Sequence, residues 1–200
     1  MSIFDVRINN TEITLPTDRY TAEQHLCELE LDLPNAEYNM QLVAGEGWLL
    51  KLDSNFHELN RLAHQLTNME EYEQETLRAW IATHGGECTV EQALAASAQV
   101  DDMLFMHGVD CDEELGEFVL DNDMFEQYND LPDAVYDMLD RKKVGEQFRE
   151  MDGGKLVLGG YLRCDDIDPN MLQPEESLPW LHVDAARFCW SRLPQLHVYR

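Results

Sequence analysis

Hydrophobic positions recur at three- and four-residue spacing in several stretches of this chain and alternate in others. The clearest stripe is Phe56, Leu59, Leu62, Ala63 and Leu66, which predicts an amphipathic helix capped by Ser54. A helix over 70–83 has Tyr72, Leu77, Trp80 and Ile81 inward and ends at Gly85-Gly86. Thr89 caps an alanine-rich helix over 90–98, and Thr21 caps an earlier one. Residues 112–122 predict a helix whose apolar positions are Leu115, Phe118, Val119 and Leu120. Its acids Glu113, Glu114, Glu117 and Asp121 share the outer face. Pro132 suits the first turn of a further helix with Val135, Tyr136, Leu139 and Val144 inward. Trp180 to Trp190 is amphipathic again.

Alternation marks the strands. Ile3 to Ile8 and Glu12 to Leu15 read as short strands, and Asn39 to Val43 and Trp48 to Leu52 as a hairpin about Ala44-Gly-Glu-Gly47. Met103 to Met106 is a short buried strand, Lys155 to Leu158 is bracketed by glycine pairs, and Leu196 to Tyr199 is a final candidate. The fold class is therefore α+β: a small antiparallel sheet with a helix, a helical middle, then a sheet with helices. The expected divisions are 1–55, 56–102, an acidic α+β segment 103–164, and a C-terminal extension 165–200 of unassigned role.

Charge changes the picture. The net charge is −26, from 40 acids and 14 bases. From residue 79 to residue 140 there is no Lys or Arg, yet there are 16 Asp and Glu, 14 of them between Asp101 and Asp140. A basic island follows: Arg141, Lys142, Lys143 and Arg149. Eighteen aromatic residues (four Trp, seven Tyr, seven Phe) supply a packed core, so this is not a disordered acidic tail. Nucleic acid and anionic membranes are poor partners for such a surface, and basic proteins are good ones. Five widely spaced cysteines without a Cys-x-x-Cys pair read as reduced thiols. The first residues lack the pattern of an export signal, and no apolar run approaches ~18 residues, so the expected location is the cytoplasm.

Little of this reads as catalysis. A calcium loop begun at Asp110 would need Gly where Leu115 stands and Glu where Asp121 stands. The histidines show no His-Glu-x-x-His arrangement, and Cys111 lies among carboxylates that oppose its ionisation. There is no Walker loop, Rossmann fingerprint or nucleophile elbow. The expectation is a protein that is not an enzyme and needs neither cofactor nor metal.

A dense field of carboxylates can imitate phosphate. Duplex DNA carries two charges per base pair, so −26 equals that of roughly 13 base pairs, or about 44 Å of duplex. The candidate DNA-mimicking carboxylates are Asp101, Asp102, Asp110, Asp112, Glu113, Glu114, Glu117, Asp121, Asp123, Glu126, Asp130, Asp133, Asp137 and Asp140. The alternative is a solvated acidic face with no partner.

Three stretches carry a family resemblance: Ile13-Thr-Leu-Pro-Thr17 followed by Glu37-Tyr38 and Phe56-His-Glu-Leu-Asn-Arg-Leu-Ala63; His107-Gly-Val-Asp-Cys-Asp-Glu-Glu-Leu-Gly-Glu-Phe-Val119; and Leu131-Pro-Asp-Ala-Val-Tyr-Asp-Met-Leu-Asp140 running on to Val144-Gly145, Phe148 and Gly153-Gly154. In these the chain resembles the ArdA-type antirestriction proteins, DNA mimics carried by mobile elements. The likeness covers roughly 13–162. Val144-Gly145-Glu146-Gln147 stands where that family has Tyr-Gly-Arg-Asp, and 163–200 has no counterpart. The resemblance implies an elongated row of small domains, a homodimer, and occupation of the DNA groove of a Type I restriction-modification enzyme. It also gives the basic island a role: with Val135, Tyr136, Leu139 and Phe148, the residues Arg141, Lys142, Lys143 and Arg149 form a candidate dimer interface. Two further readings use the same field: an anti-CRISPR or other anti-defence inhibitor, and an acidic chaperone or adaptor for a basic protein.

Overall fold

The computed structural model describes residues 3–29, 39–44, 48–52, 56–125, 128, 131–136, 138–165 and 167–168. The fold is α+β, as the pattern predicts, with two antiparallel sheets and one parallel pair among the described residues. Contacts divide the chain into two compact units. Met1–Glu46 with Leu52–Asn68 belongs to the first, and Gly47–Lys51 with Met69–Met171 to the second.

The first unit holds β1 (Phe4–Ile8), β2 (Thr11–Leu15), α1 (Arg19–Glu28), β3 (Met40–Ala44) and α2 (Phe56–Asn68). β1 alternates strictly, with Phe4, Val6 and Ile8 fully buried, and lies between β2 and β3. Asn9 takes a left-handed conformation (φ 55°) in the two-residue turn to β2, a geometry that Asn tolerates. The α2 stripe is buried as expected, Phe56, Leu59, Leu62, Ala63 and Leu66 all at 0% exposure. Asn60 on the same face is buried too. It accepts from Thr17 N (2.9 Å) and donates to Thr17 O (3.1 Å), which ties α2 to the segment after β2. α2 therefore groups with the N-terminal sheet in the first unit.

The second unit holds β4 (Leu50–Lys51), α3 (Glu71–Ala82), β5 (Cys88–Thr89), α4 (Val90–Ser97), a 3-10 turn (Val100–Asp102), β6 (Leu104–His107), α5 (Asp112–Asp121), α6 (Asp133–Tyr136), α7 (Arg141–Asp152), β7 (Lys155–Val157) and β8 (Gly160–Arg163). Thr89 caps α4 in a reciprocal box with Gln92 (3.2 and 2.9 Å). The sheet runs β6-β8-β7, all antiparallel. Its core joins Met106 and Tyr161 to Leu115, Val119, Leu120, Phe125, Val144 and Phe148. Phe148 meets Phe125 edge-on (5.7 Å) and Tyr161 at a tilt (6.3 Å). The Tyr161 hydroxyl donates to Asp152 (2.8 Å), and burial with that bond pushes the phenol pKa up.

Several expectations change. The hairpin about 44–47 does not form: β3 pairs with β1, and β4 pairs in parallel with β5 (Leu50 opposite Cys88). β1 offers two edges, and the second takes β3. The cap of α1 is Asp18, three residues before Thr21, whose N–H and hydroxyl it accepts (3.1 and 2.7 Å). Those bonds hold the Asp18 carboxyl below its usual range. The helix expected through 132–144 is two helices, because Asp140 accepts from Lys143 N and starts α7 afresh. Tyr72, Phe118 and Val135 are exposed, not inward. Met103 and Leu104 are only half-buried. The Ser54 cap and the elements expected over 180–190 and 196–199 lie outside the described residues.

α5 and α7 touch backbone to backbone. A Cβ on Gly116 would lie 1.8 Å from Arg141 O, and one on Gly145 would lie 1.8 Å from Asp112 O. No rotamer relieves such a clash, so the helices would have to separate. Gly116→Ala is expected to destabilise this unit by about 3 kcal/mol or more. Gly153→Ala meets no atom and carries only a positive φ (76°), so it should cost about 1 kcal/mol. Urea titrations followed by circular dichroism measure both; equal losses would refute the crossing as a tight contact.

Candidate functional site

The acidic candidates concentrate on α5 and the segments around it. Leu115, Val119 and Leu120 bury one side of α5, and Gly116 meets α7. That fixes its rotation and leaves Glu113, Glu114, Glu117 and Asp121 exposed together. The first-turn acids are favoured there by the helix dipole. Glu114 also accepts from Asp110 N (2.8 Å), which ties the preceding loop to the helix. Asp110 itself is exposed, as is Asp123, which holds a left-handed conformation (φ 52°) just past the helix. Asp101 and Asp102 are exposed on the 3-10 turn. Asp133 opens α6 and Asp140 caps α7. Glu126, Asp130 and Asp137 lie outside the described residues.

One candidate has a different role. Asp112 is half-buried and grips Arg149 with both oxygens (2.7 and 3.1 Å). The carboxylate raises the Arg149 pKa further. This fork spans the α5–α7 crossing, so Asp112 is spent inside the fold.

The basic island is likewise engaged within its own unit. The Arg141 guanidinium lies 4.8 Å from the Tyr136 ring centre and donates to Tyr136 O (3.3 Å). Lys142 faces Glu146 (3.8 Å) and Lys143 faces Asp140 (3.5 Å). Arg163 pairs with Asp152 (3.0 Å). Of the candidate interface residues, Phe148 lies in the core and Arg149 is engaged by Asp112. Val135, Lys142 and Lys143 remain exposed, and Tyr136, Leu139 and Arg141 are half-buried.

Chemistry of other kinds finds little footing. Among the described residues no group of three or more His, Cys, Asp or Glu is placed to hold a metal ion. No described helix is long and apolar enough to cross a membrane. Cys111 is exposed, and burial pushes the Cys88 thiol up to about 11. A feature the sequence did not signal is an open groove of about 350 Å³ within the second unit, lined by α3, β6 and the β7–β8 turn. Its residues are scattered along the chain, and only an apolar Leu158 at a tight turn hinted at it.

No protein-family model matches the chain, and no curated protein matches it. The reading of the acidic face therefore rests on its own chemistry.

Glu113, Glu117 and Asp121 follow one another at four-residue steps, so each neighbouring pair repels by about 0.2–0.5 kcal/mol. Removing the middle charge should help the fold, while removing the buried partner should harm it. Glu117→Gln is expected to raise stability by up to about 1 kcal/mol. Asp112→Asn is expected to lower it by about 1 kcal/mol, a value kept small because Arg149 is 37% exposed. Urea midpoints at low salt measure both shifts; a stabilised Asp112→Asn would refute the structural role.

Proposed function

We propose that this protein is a DNA mimic that acts in the cytoplasm as an antirestriction factor. Its target is the DNA groove of a Type I restriction-modification enzyme or a similar basic DNA-binding complex. The observation that carries the reading is the exposed face of α5. Glu113, Glu114, Glu117 and Asp121 span eight residue steps, about 12 Å of helix axis. Four charges over that length give one per about 4 Å, close to the 3.4 Å per charge of a single DNA strand. The neighbouring bases are held by other partners, so they do not cancel this field. A surface of this kind meets Lys and Arg laid out for phosphate, and it carries no base information.

The proposal includes a homodimer formed through the exposed part of 131–143. Val135→Asp with Lys143→Glu should shift sedimentation towards the monomer while circular dichroism stays unchanged. A double variant that sediments as wild type refutes that part alone.

Inhibition is tested by competition with nonspecific duplex for the purified enzyme. Wild-type protein should displace duplex, and the displacement should weaken steeply with added salt. Neutralising all four α5 residues (E113Q/E114Q/E117Q/D121N) should weaken it at least about tenfold, or 1.4 kcal/mol, and flatten the salt dependence. Each single change should stay within about threefold, since a distributed field has no dominant charge. A single change that abolishes inhibition, or a quadruple one without effect, would overturn the reading.

A further inference from the structure

The groove in the second unit is apolar in a strongly acidic protein. Ala79, Ala82 and Phe105 line it, with Leu49 and Leu158 beside them. Leu158 is 94% exposed and Leu49 53%, so two large apolar side chains stand in water there. Contiguous exposed apolar surface on a soluble protein marks an interaction site. The volume, about 350 Å³, lies at the small end for ligand sites and suits one or two side chains.

Three polar residues also line the groove. The guanidinium of Arg78 lies 4.8 Å from the Trp48 ring centre. Its Nε–H is buried without an acceptor among the described residues, and such a donor is costly to leave unpaired. Glu75 and His107 face each other (3.6 Å), with the carboxylate still open to solvent. The groove thus offers an apolar lining and an acidic edge.

We propose that this groove anchors an apolar side chain flanked by Lys or Arg on a basic protein partner. The side chain fills the space over Ala79, Ala82 and Phe105. The flanking cation meets Glu75. Charge complementarity selects this occupant: a chain of net charge −26 attracts basic partners, and Glu75 sets an exposed carboxylate at the groove itself. The inference rests on the reading above only in taking the partner to be basic, and it adds a contact that DNA itself cannot make.

The test uses the full chain with labelled methyl groups and two synthetic probes. One is a peptide with a single Phe between paired lysines; the other has Ser in place of Phe. In nuclear magnetic resonance titrations the Phe peptide should shift the Leu49, Ala82 and Leu158 methyls saturably. The Ser peptide should bind those positions at least fivefold more weakly. Ala82→Trp should fill the groove and remove the response. Leu158→Ser, at an exposed turn that folding does not need, should weaken it at least threefold. Equal binding of both peptides, shifts confined to α5, or no shift at millimolar peptide would each overturn the proposal. So would a Leu158→Ser variant whose only change is loss of self-association, since the occupant would then be a second copy. Failure to inhibit a restriction enzyme would sink the function proposed above and leave this titration unaffected.

Discussion

The backbone contact between Gly116 and Gly145 sets the geometry of the acidic part of this protein. With no side chain between them, α5 and α7 approach until the Arg141 and Asp112 carbonyls occupy the space a Cβ would need. That closeness brings Asp112 within reach of Arg149 and lets Val144 and Phe148 share one core with Leu115 and Val119. It also fixes the rotation of α5. One residue is 100° of helix, so a turn of α5 by that amount would put Glu114 in the buried place of Leu115 and drive Leu115 into the site where Gly116 meets α7. The exposed carboxylate face is thus a consequence of two glycines on the opposite side.

Magnitudes explain why such a helix folds at all. Repulsion between its acids amounts to a few tenths of a kcal/mol per pair. Burying Leu115, Val119 and Leu120 contributes about 1.5–3 kcal/mol each before conformational entropy is subtracted. Burial wins by several-fold, and the surface is left free to carry like charge. The few bases are then placed where the structure uses them: Arg149 across the crossing, Arg163 on Asp152, and Arg141 on Tyr136. The basic island stabilises its own unit first, and only its exposed remainder can serve a dimer.

The parts legible in the sequence were those governed by local period. The stripe of α2, the Thr89 cap and the outer acids of α5 follow from spacing alone. The parts that were not legible depend on distant pairs. Leu50 opposite Cys88 leaves no mark in either segment, and nothing in the alternation of 39–43 says that it will pair with β1 and not with 48–52. Asn60 is polar within the buried face of α2, and its hold on Thr17, 43 residues away, shows only in the folded chain. At 132–144 the apolar period ran straight through Asp140, and a capping carboxylate overrode it. Gly116 and Gly145 sit within helices, where glycine normally costs about 1 kcal/mol against alanine. That cost was the available sign of a close approach.

A field of carboxylates alone is indiscriminate. Any groove built for duplex would accept it, and its grip would fade with salt as DNA binding does. Long-range charge raises the rate of encounter more than it slows departure, whereas a filled apolar pocket acts mainly on departure. A mimic that discriminates among basic enzymes therefore needs a contact of a kind DNA lacks. On the proposed reading the groove beside α3 would supply one, where Leu49 and Leu158 stand exposed at a cost that an all-polar surface would avoid. Read together, the acidic helix would set how fast and how generally this protein meets basic surfaces. The groove would set on which of them it stays.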